Sequence, residues 1–190
     1  INPQVADSDP KNLTVVGDHV CFTASNGTTG REPWCTDGTP EHTFALGDIR
    51  AGSLDSATSS DNPGFVLFDG QVYFAANDGV HGIELWKSDG TVPNTRMLKD
   101  INPGPDSSTP SGFHRLGELV FTSAFTPNEA RELWVTDGTP DGTYLLMDLD
   151  PGPGYGLLGH FTEFAGRMFF SADTPNEGAE LWSTDGTPEG

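Results

Sequence analysis

Aspartate residues that recur at even spacing are the side chains of this sequence with the clearest potential for chemistry. Asp48, Asp100 and Asp148 each come just before a loop segment that links two parts of the chain. Carboxylate and carbonyl oxygens in loops of this kind are the ligands that Ca²⁺ prefers. We therefore predict calcium as the candidate cofactor at these three aspartates, in a site that does not follow the spacing of an EF-hand.

A second series of acidic residues accompanies short turns with the sequence Asp-Gly-Thr or its equivalent. Aspartate before glycine most often accepts hydrogen bonds from its own turn, and we predict that structural role, with a bound cation as the alternative. A glutamate also recurs just before each tryptophan, and we expect it to make a structural hydrogen bond. The members of the two series are Asp37, Asp89, Asp137 and Asp185, and Glu32, Glu84, Glu132 and Glu180.

The sequence contains no recognisable catalytic motif. There is no Gly-x-Ser-x-Gly elbow and no glycine-rich phosphate loop after a strand, and the histidines lack metal-binding spacing such as His-Glu-x-x-His. We therefore assign no catalytic residues and expect a protein that is not an enzyme. If it is one, unlike residues from different repeats must converge on one site; the candidates are His81, Arg131, His114 and Glu163.

All these residues belong to a repeat that its tryptophans mark. Trp34, Trp86, Trp134 and Trp182 follow one another at intervals of 52, 48 and 48 residues, inside the phrases REPWCTDGTP, IELWKSDGT, RELWVTDGTP and AELWSTDGTP. A fixed period near 48 residues is typical of repeat architectures. We divide the chain into repeats at 1–48, 49–100, 101–148 and 149–190 within a single domain.

Each repeat predicts four short antiparallel strands and no helix longer than a turn. Tight turns such as Asp69-Gly70 join the first two strands, and the second strand is almost continuously apolar, as in VYFAA from Val72. A strand that is apolar on both faces lies between two layers. Four strands in about 48 residues match one blade of a β-propeller, which we prefer to a β-sandwich.

The fourth repeat stops before its last strand. A window from a longer array, a strand supplied by another chain or a tolerated three-stranded blade would explain this, and we favour the window.

Two cysteines lie on neighbouring strands of the first repeat. A register that pairs Phe22 with Trp34 places Cys21 opposite Cys35, within disulfide range. We predict a disulfide rather than two free thiols. The same register is expected to pair Tyr73 with Lys87, and Val120 with Val135.

Aromatic residues raise the question of ligand contact. A tryptophan beside apolar residues on a central strand is more often core than a sugar-stacking platform, and we predict core for all four. Tyr155 and Phe125 break the repeat and are the candidate exposed binding residues.

Charge excludes two classes of partner. The 190 residues include 28 acidic and 9 basic ones, for a net charge of −19. Such a field repels nucleic acids and anionic membrane surfaces. No apolar stretch is long enough to span a membrane.

The repeated phrase resembles the ELWxxDGT repeat of large secreted or surface-associated bacterial proteins. The full form of the motif is present from Asp78 to Trp86 and continues in the tail from Leu98 to Gly104. The first repeat departs from it, with Pro33 in place of leucine and Cys35 after the tryptophan. The resemblance implies an exported bacterial protein with a propeller-like fold, and it implies no single activity.

Three functions follow as hypotheses. We favour a non-catalytic extracellular module for adhesion, matrix assembly or binding of carbohydrate or protein, because equivalent repeats offer multivalent sites. The second hypothesis is a structural subunit that polymerises with copies of itself through the incomplete blade. The third is a hydrolase or lyase with its active site on the propeller axis.

Overall fold

The computed structural model describes residues 1–3, 7–57, 64–150 and 158–190, and the architecture is all-β. The first repeat contains β1 (Lys11–Val16), β2 (His19–Ser25), β3 (Arg31–Thr36) and β4 (Thr43–Ala45). The second contains β5 (Val66–Phe68), β6 (Gln71–Asn77), β7 (Ile83–Ser88) and β8 (Arg96–Lys99), with a 3-10 turn at Val92–Asn94. The third contains β9 (Ser111–Leu116), β10 (Leu119–Thr126), β11 (Ala130–Thr136) and β12 (Thr143–Met147). In the described residues the fourth contains β13 (Gly159–Phe164), β14 (Arg167–Thr174) and β15 (Gly178–Thr184).

Each repeat folds into its own antiparallel meander. Strands pair in chain order within four separate sheets, three of which have four strands and the last three strands within the described part of the chain. The turn between the first two strands of the second repeat places Asp69 and Gly70 both at positive φ, the arrangement of the tight hairpin turn that Asp-Gly favours. The predicted four-stranded units are therefore confirmed.

A bulge in the first strand recurs at the same repeat position. Asn12, Gly64, Gly112 and His160 all have φ between 57° and 68°. The strand register shifts next to this residue in the first, third and fourth sheets. A bulge with a left-handed residue bends the strand and increases its twist, so the first strands of these three sheets bend alike.

The hairpin register agrees with the sequence in three of the four pairs that we predicted, the first of which is Phe22 with Trp34. Cys21 lies opposite Cys35, and Tyr73 lies opposite Lys87. The fourth prediction was wrong by one residue, because Phe121 and not Val120 pairs with Val135. Leu119 is the first residue of β10, at the position that His19 holds in β2, so its apolar character shifted our alignment of the third repeat.

Hydrophobic cores lie between consecutive sheets. One core joins Cys21, Cys35 and Leu46 of the first sheet to Phe74 and Trp86 of the second. The next joins the second sheet to Trp134 and its neighbours in the third, and the last joins the third to Trp182 and its neighbours in the fourth. Sheets that stack face to face in chain order are the blades of a β-propeller, and from here on each sheet is called a blade.

The described residues include no helix that is long and apolar enough to cross a membrane.

Candidate functional site

The Asp-Gly-Thr turns hold their aspartates in local hydrogen bonds. Oδ1 of Asp37 accepts the backbone N–H of Thr39 at 2.9 Å and its hydroxyl at 2.7 Å. Asp89, Asp137 and Asp185 make the same pair of bonds in their own blades. The hydroxyl of Thr39, its backbone N–H and the nearby His42 lower the pKa of Asp37 to about 2. These carboxylates therefore stay charged and shape the turn.

The recurrent glutamate ties its blade to the segment that leads to the next one. Glu84 is fully buried and accepts the backbone N–H groups of Ile101 and Ser108, each at 2.8 Å, and the Ser108 hydroxyl at 2.6 Å. The carbonyl of Ser108 in turn accepts the N–H of Phe125 in the third blade, at 2.8 Å. We call this arrangement of a glutamate, a serine and the next blade a Glu–Ser staple.

The first blade has the same staple. The Ser56 hydroxyl donates to Glu32, and the Ser56 carbonyl accepts the N–H of Asn77 in the second blade. Glu132 in the third blade is also fully buried and accepts the N–H of Leu149. Burial raises the pKa of Glu32 and of Glu132 to about 7, against the lowering effect of their hydrogen bonds.

The disulfide that the sequence predicts is present. Cys21 and Cys35 are bonded, with their Cα atoms 4.1 Å apart across the hairpin. Both side chains are buried and face the second blade. The bond takes the place of two larger side chains, since the equivalent pair in the second blade is Tyr73 and Lys87.

Large side chains fill the space next to the glycine turn at the other two blade junctions. A Cβ added to Gly138 would lie 2.5 Å from the Tyr73 hydroxyl, and Lys87 Nζ donates to the Gly138 carbonyl at 2.8 Å. A Cβ added to Gly186 would lie 2.8 Å from Leu119 and 3.4 Å from Phe121.

The same space is open between the first two blades. A Cβ added to Gly90 would meet its nearest neighbour, the Phe44 ring, at 3.9 Å. The compact disulfide therefore leaves a cleft of about 380 Å³, which we call the interblade cleft. Its floor is apolar and consists of Val16, Cys21, Cys35, Phe44, Leu67 and Val72.

Polar side chains form the rim of the interblade cleft. His19 Nδ1 lies 2.6 Å from Asp18 Oδ1, and the His19 ring meets Phe44 edge-on with 6.4 Å between the ring centroids. Asp89 and Thr91 of the second blade stand on the other side. An apolar floor with a few hydrogen-bonding groups at its edge is the usual composition of a small-ligand site, and the volume lies near the lower end of the range for such sites, which starts at about 300 Å³.

A second groove lies beside a tryptophan of the third blade. Trp134 is half-buried and lines a space of about 390 Å³ together with Pro103, Asn128 and Glu129. We call it the Trp134 groove. The indole also packs against the core between the second and third blades, so most of its role is structural.

The predicted metal-binding and exposed aromatic residues are not brought together in the parts of the chain that the structure describes. In the described parts of the chain no three His, Cys, Asp or Glu side chains are grouped so that they could hold a metal ion, so the calcium site at Asp48, Asp100 and Asp148 stays a prediction. Phe125 is half-buried near the end of β10, and Tyr155 lies outside the described residues.

The candidates for an axial active site are mostly engaged in local contacts. His81 Nδ1 lies 2.7 Å from Asp78 Oδ2, and this hydrogen bond raises the pKa of His81. Arg131 donates to Thr109 at 2.5 Å, and the His114 ring packs on Phe161 with 5.5 Å between the ring centroids. Glu163 is exposed on β13.

Comparison with known proteins identifies the fold. No family model matches the sequence, and no curated protein matches it. Two solved structures of a puromycin hydrolase match with TM-scores of 0.58, at 14% and 16% identity over 93% and 94% of this chain. A structure from a study of two prolyl endopeptidases matches with a TM-score of 0.50, at 11% identity over 88% of the chain.

The chain spans about a quarter of the length of these matched structures, 25% to 27%. At such low identity the likeness establishes the fold, the repeated antiparallel sheets of a β-propeller domain.

The interblade cleft was not predicted from the sequence. Its signal was present, because Cys21 and Cys35 stand where the second repeat has Tyr73 and Lys87. The sequence did not show that Tyr73 and Lys87 fill the space between their own blade and the following one.

Proposed function

We propose that this chain is a non-catalytic, exported binding module of the bacterial ELWxxDGT-repeat type, and that it binds carbohydrate in the interblade cleft. The observation that carries the proposal is the break in the repeat. Where the later junctions are filled by Tyr73 or Phe121, the first junction is open and has an aromatic residue, Phe44, on its floor. The disulfide supports an exported protein, because such bonds persist in oxidising compartments.

The composition of the cleft suits a sugar ring. The C–H face of a pyranose packs on an aromatic side chain such as Phe44, and the hydroxyls donate to carboxylates such as Asp18 and Asp89 at the rim. The net charge of −19 disfavours sulfated or uronic acid polymers. Neutral or amino sugars are therefore the expected ligands.

The matched structures include hydrolases, and an enzyme is the alternative. We favour binding because His81 and Arg131 each make hydrogen bonds within their own part of the fold, and His114 packs on Phe161 of the fourth blade. Catalysis needs such residues to converge on one reacting group.

A glycan array with the wild-type chain tests the proposal, and titration calorimetry measures the affinity for the best ligand. Phe44→Ala should weaken binding at least tenfold, because it removes the aromatic floor. Tyr144→Ala is the matched control, since Tyr144 holds the same position in the last strand of the third blade and is exposed. Thermal melts confirm that both variants are folded.

Three results would contradict the proposal. If no neutral or amino sugar on the array is bound, carbohydrate is excluded as the ligand. Equal losses in Phe44→Ala and Tyr144→Ala show that binding does not use the cleft. If Asn128→Ala loses binding and Phe44→Ala binds fully, the ligand binds in the Trp134 groove and not in the interblade cleft.

A further inference from the structure

A groove lies between the first strands of the third and fourth blades. The first strands of consecutive blades contact one another, and β9 and β13 form one such pair. The groove between them has a volume of about 330 Å³, and we call it the inner groove. The described residues that line it include no acidic side chain, although the protein has a net charge of −19. The side chains on its surface are Ser111, His114, Ser123, Leu158, His160 and Phe161.

A guanidinium group lies directly behind the two serines of the inner groove. Arg131 on β11 is half-buried, and its Nη1 donates to Ser111 Oγ at 3.2 Å and to Ser123 Oγ at 3.1 Å. Arg131 forms no ion pair with any carboxylate of the described residues. Its burial lowers the pKa of the Arg131 guanidinium, and no acidic side chain opposes this effect. The positive charge therefore lacks a counter-ion.

The first blade has the same arginine together with a counter-ion. Arg31 donates to the carbonyl oxygen and to Oδ2 of Asp9, each at 2.7 Å. Arg131 makes the same two contacts with Thr109, to the carbonyl at 3.2 Å and to the hydroxyl at 2.5 Å. Asp9 and Thr109 also share one backbone conformation, with φ of 44° and 45°. A neutral hydroxyl thus takes the place of the carboxylate at the third blade.

We propose that the inner groove binds a small monocarboxylate, whose oxygens accept hydrogen bonds from the hydroxyls of Ser111 and Ser123 in front of Arg131. A guanidinium can only donate, so both hydroxyl oxygens accept from it and their hydrogens are free to point to a ligand. The two hydroxyl oxygens lie 3.0 Å apart and share a hydrogen bond. A carboxylate can replace that bond, because charged acceptors make stronger hydrogen bonds than neutral ones.

The other side chains of the inner groove restrict the ligand further. Leu158 and Phe161 provide an apolar wall for a hydrocarbon body, and the imidazoles of His114 and His160 add donors when they are protonated. The net charge of −19 repels polyanions before they reach the groove. An aromatic or aliphatic acid with one carboxylate is therefore the expected class. This site lies at a different blade junction from the interblade cleft and does not depend on the carbohydrate proposal.

Titration with benzoate and with benzamide tests the proposal, because the two molecules have the same shape and differ in charge. Proton NMR of the imidazole C–H groups follows the binding in low-salt buffer, and the chain has only five histidines. Benzoate should shift the signals of His114 and His160, and benzamide should bind at least tenfold more weakly. A shift of the His19 signal instead would place benzoate in the interblade cleft and overturn the proposal.

Substitutions of Thr109 change the charge beside Arg131 without changing a residue that lines the groove. Thr109→Asp gives Arg131 the counter-ion that Arg31 has, and it should weaken benzoate binding at least tenfold. Thr109→Asn is the matched control and should keep the wild-type affinity, because asparagine has the shape of aspartate, tolerates the positive φ and carries no charge. Thermal melts show whether both variants are folded.

Four results would overturn the proposal. The first is equal binding of benzoate and benzamide to the wild-type chain, which decides the question even if Thr109→Asp does not fold. The second is equal binding of benzoate to folded Thr109→Asp and to the wild type. The third is tighter binding of inorganic phosphate than of benzoate, which would assign the groove to another class of anion. The fourth is a wild-type chain that binds no benzoate at millimolar concentration.

Discussion

Replacing Glu84 by alanine tests the physical basis of this propeller, because it removes a buried side-chain acceptor that joins β7 to the segment before the third blade. The carboxylate accepts hydrogen bonds from the N–H of Ile101 and from both the N–H and the hydroxyl of Ser108. The variant leaves two N–H donors without their partner in a buried place, at about 1–3 kcal/mol each. We expect the free energy of unfolding to fall by roughly 3–5 kcal/mol, a large part of the stability of a domain.

The fourth blade offers the matched control. Glu180 occupies the same repeat position but is exposed, so Glu180→Ala should change the stability by less than about 0.5 kcal/mol in dilute solution. Glu84→Gln keeps one carbonyl acceptor and should lie between the two. Urea denaturation of the three variants at pH 7.5 gives the values, from the midpoint and the slope of each transition.

Hydrogen exchange then shows where the change acts. The amides of Ile101 and Ser108 should lose protection in Glu84→Ala, while amides in the third blade beyond Phe125 exchange more slowly than these two. Equal free energies of unfolding for Glu84→Ala and Glu180→Ala would refute the reasoning. That result would mean that the burial of Glu84 and its hydrogen bonds to Ile101 and Ser108 do not stabilise the fold.

The remaining predictions concern pH, the disulfide and the core. Burial raises the pKa of Glu32 and of Glu132 to about 7, so the folded chain holds these protons more tightly than the unfolded chain, and the contribution of these two carboxyls to stability is full below about pH 4 and is lost as the pH rises through 7; urea denaturation between these pH values should show a smaller dependence of the unfolding free energy on pH in Glu32→Gln than in the wild type. Reduction of the disulfide should lower the free energy of unfolding by about 3 kcal/mol, as measured by urea denaturation with and without a phosphine reductant, and no loss would show that the bond does not constrain the unfolded chain. Leu133→Ala should lower the free energy of unfolding by about 3 kcal/mol, because the Leu133 side chain is buried between two blades. Leu181→Ala, at the exposed equivalent position, should lower it little. Equal falls in the calorimetric melting temperatures of the two variants would contradict this difference in burial.

The fold could be predicted from the sequence because its signals are local. The tryptophan period, the Asp-Gly turn at Asp69 and the doubly apolar second strands each follow from residues close in the chain. The disulfide was predictable for the same reason, since Cys21 and Cys35 face each other within one hairpin. The one-residue error at Val120 shows the limit, because hydrophobicity alone does not place the first residue of a strand.

The tertiary structure decided which of the equivalent residues are buried and which are exposed. Glu84 and Glu180 stand in the same phrase, yet one is buried under the segment before the next blade and the other is exposed. The interblade cleft arises in the same way, since it depends on what Cys21 and Cys35 fail to fill against Gly90 of another blade. The sequence by itself determined the blades, their turns and their internal pairing, because those contacts lie within one repeat. The burial and raised pKa of Glu32 depend on Ile49 and Ser56 in the segment after its own blade, and the open cleft depends on Gly90 of the next blade. Only the tertiary structure brings these residues together.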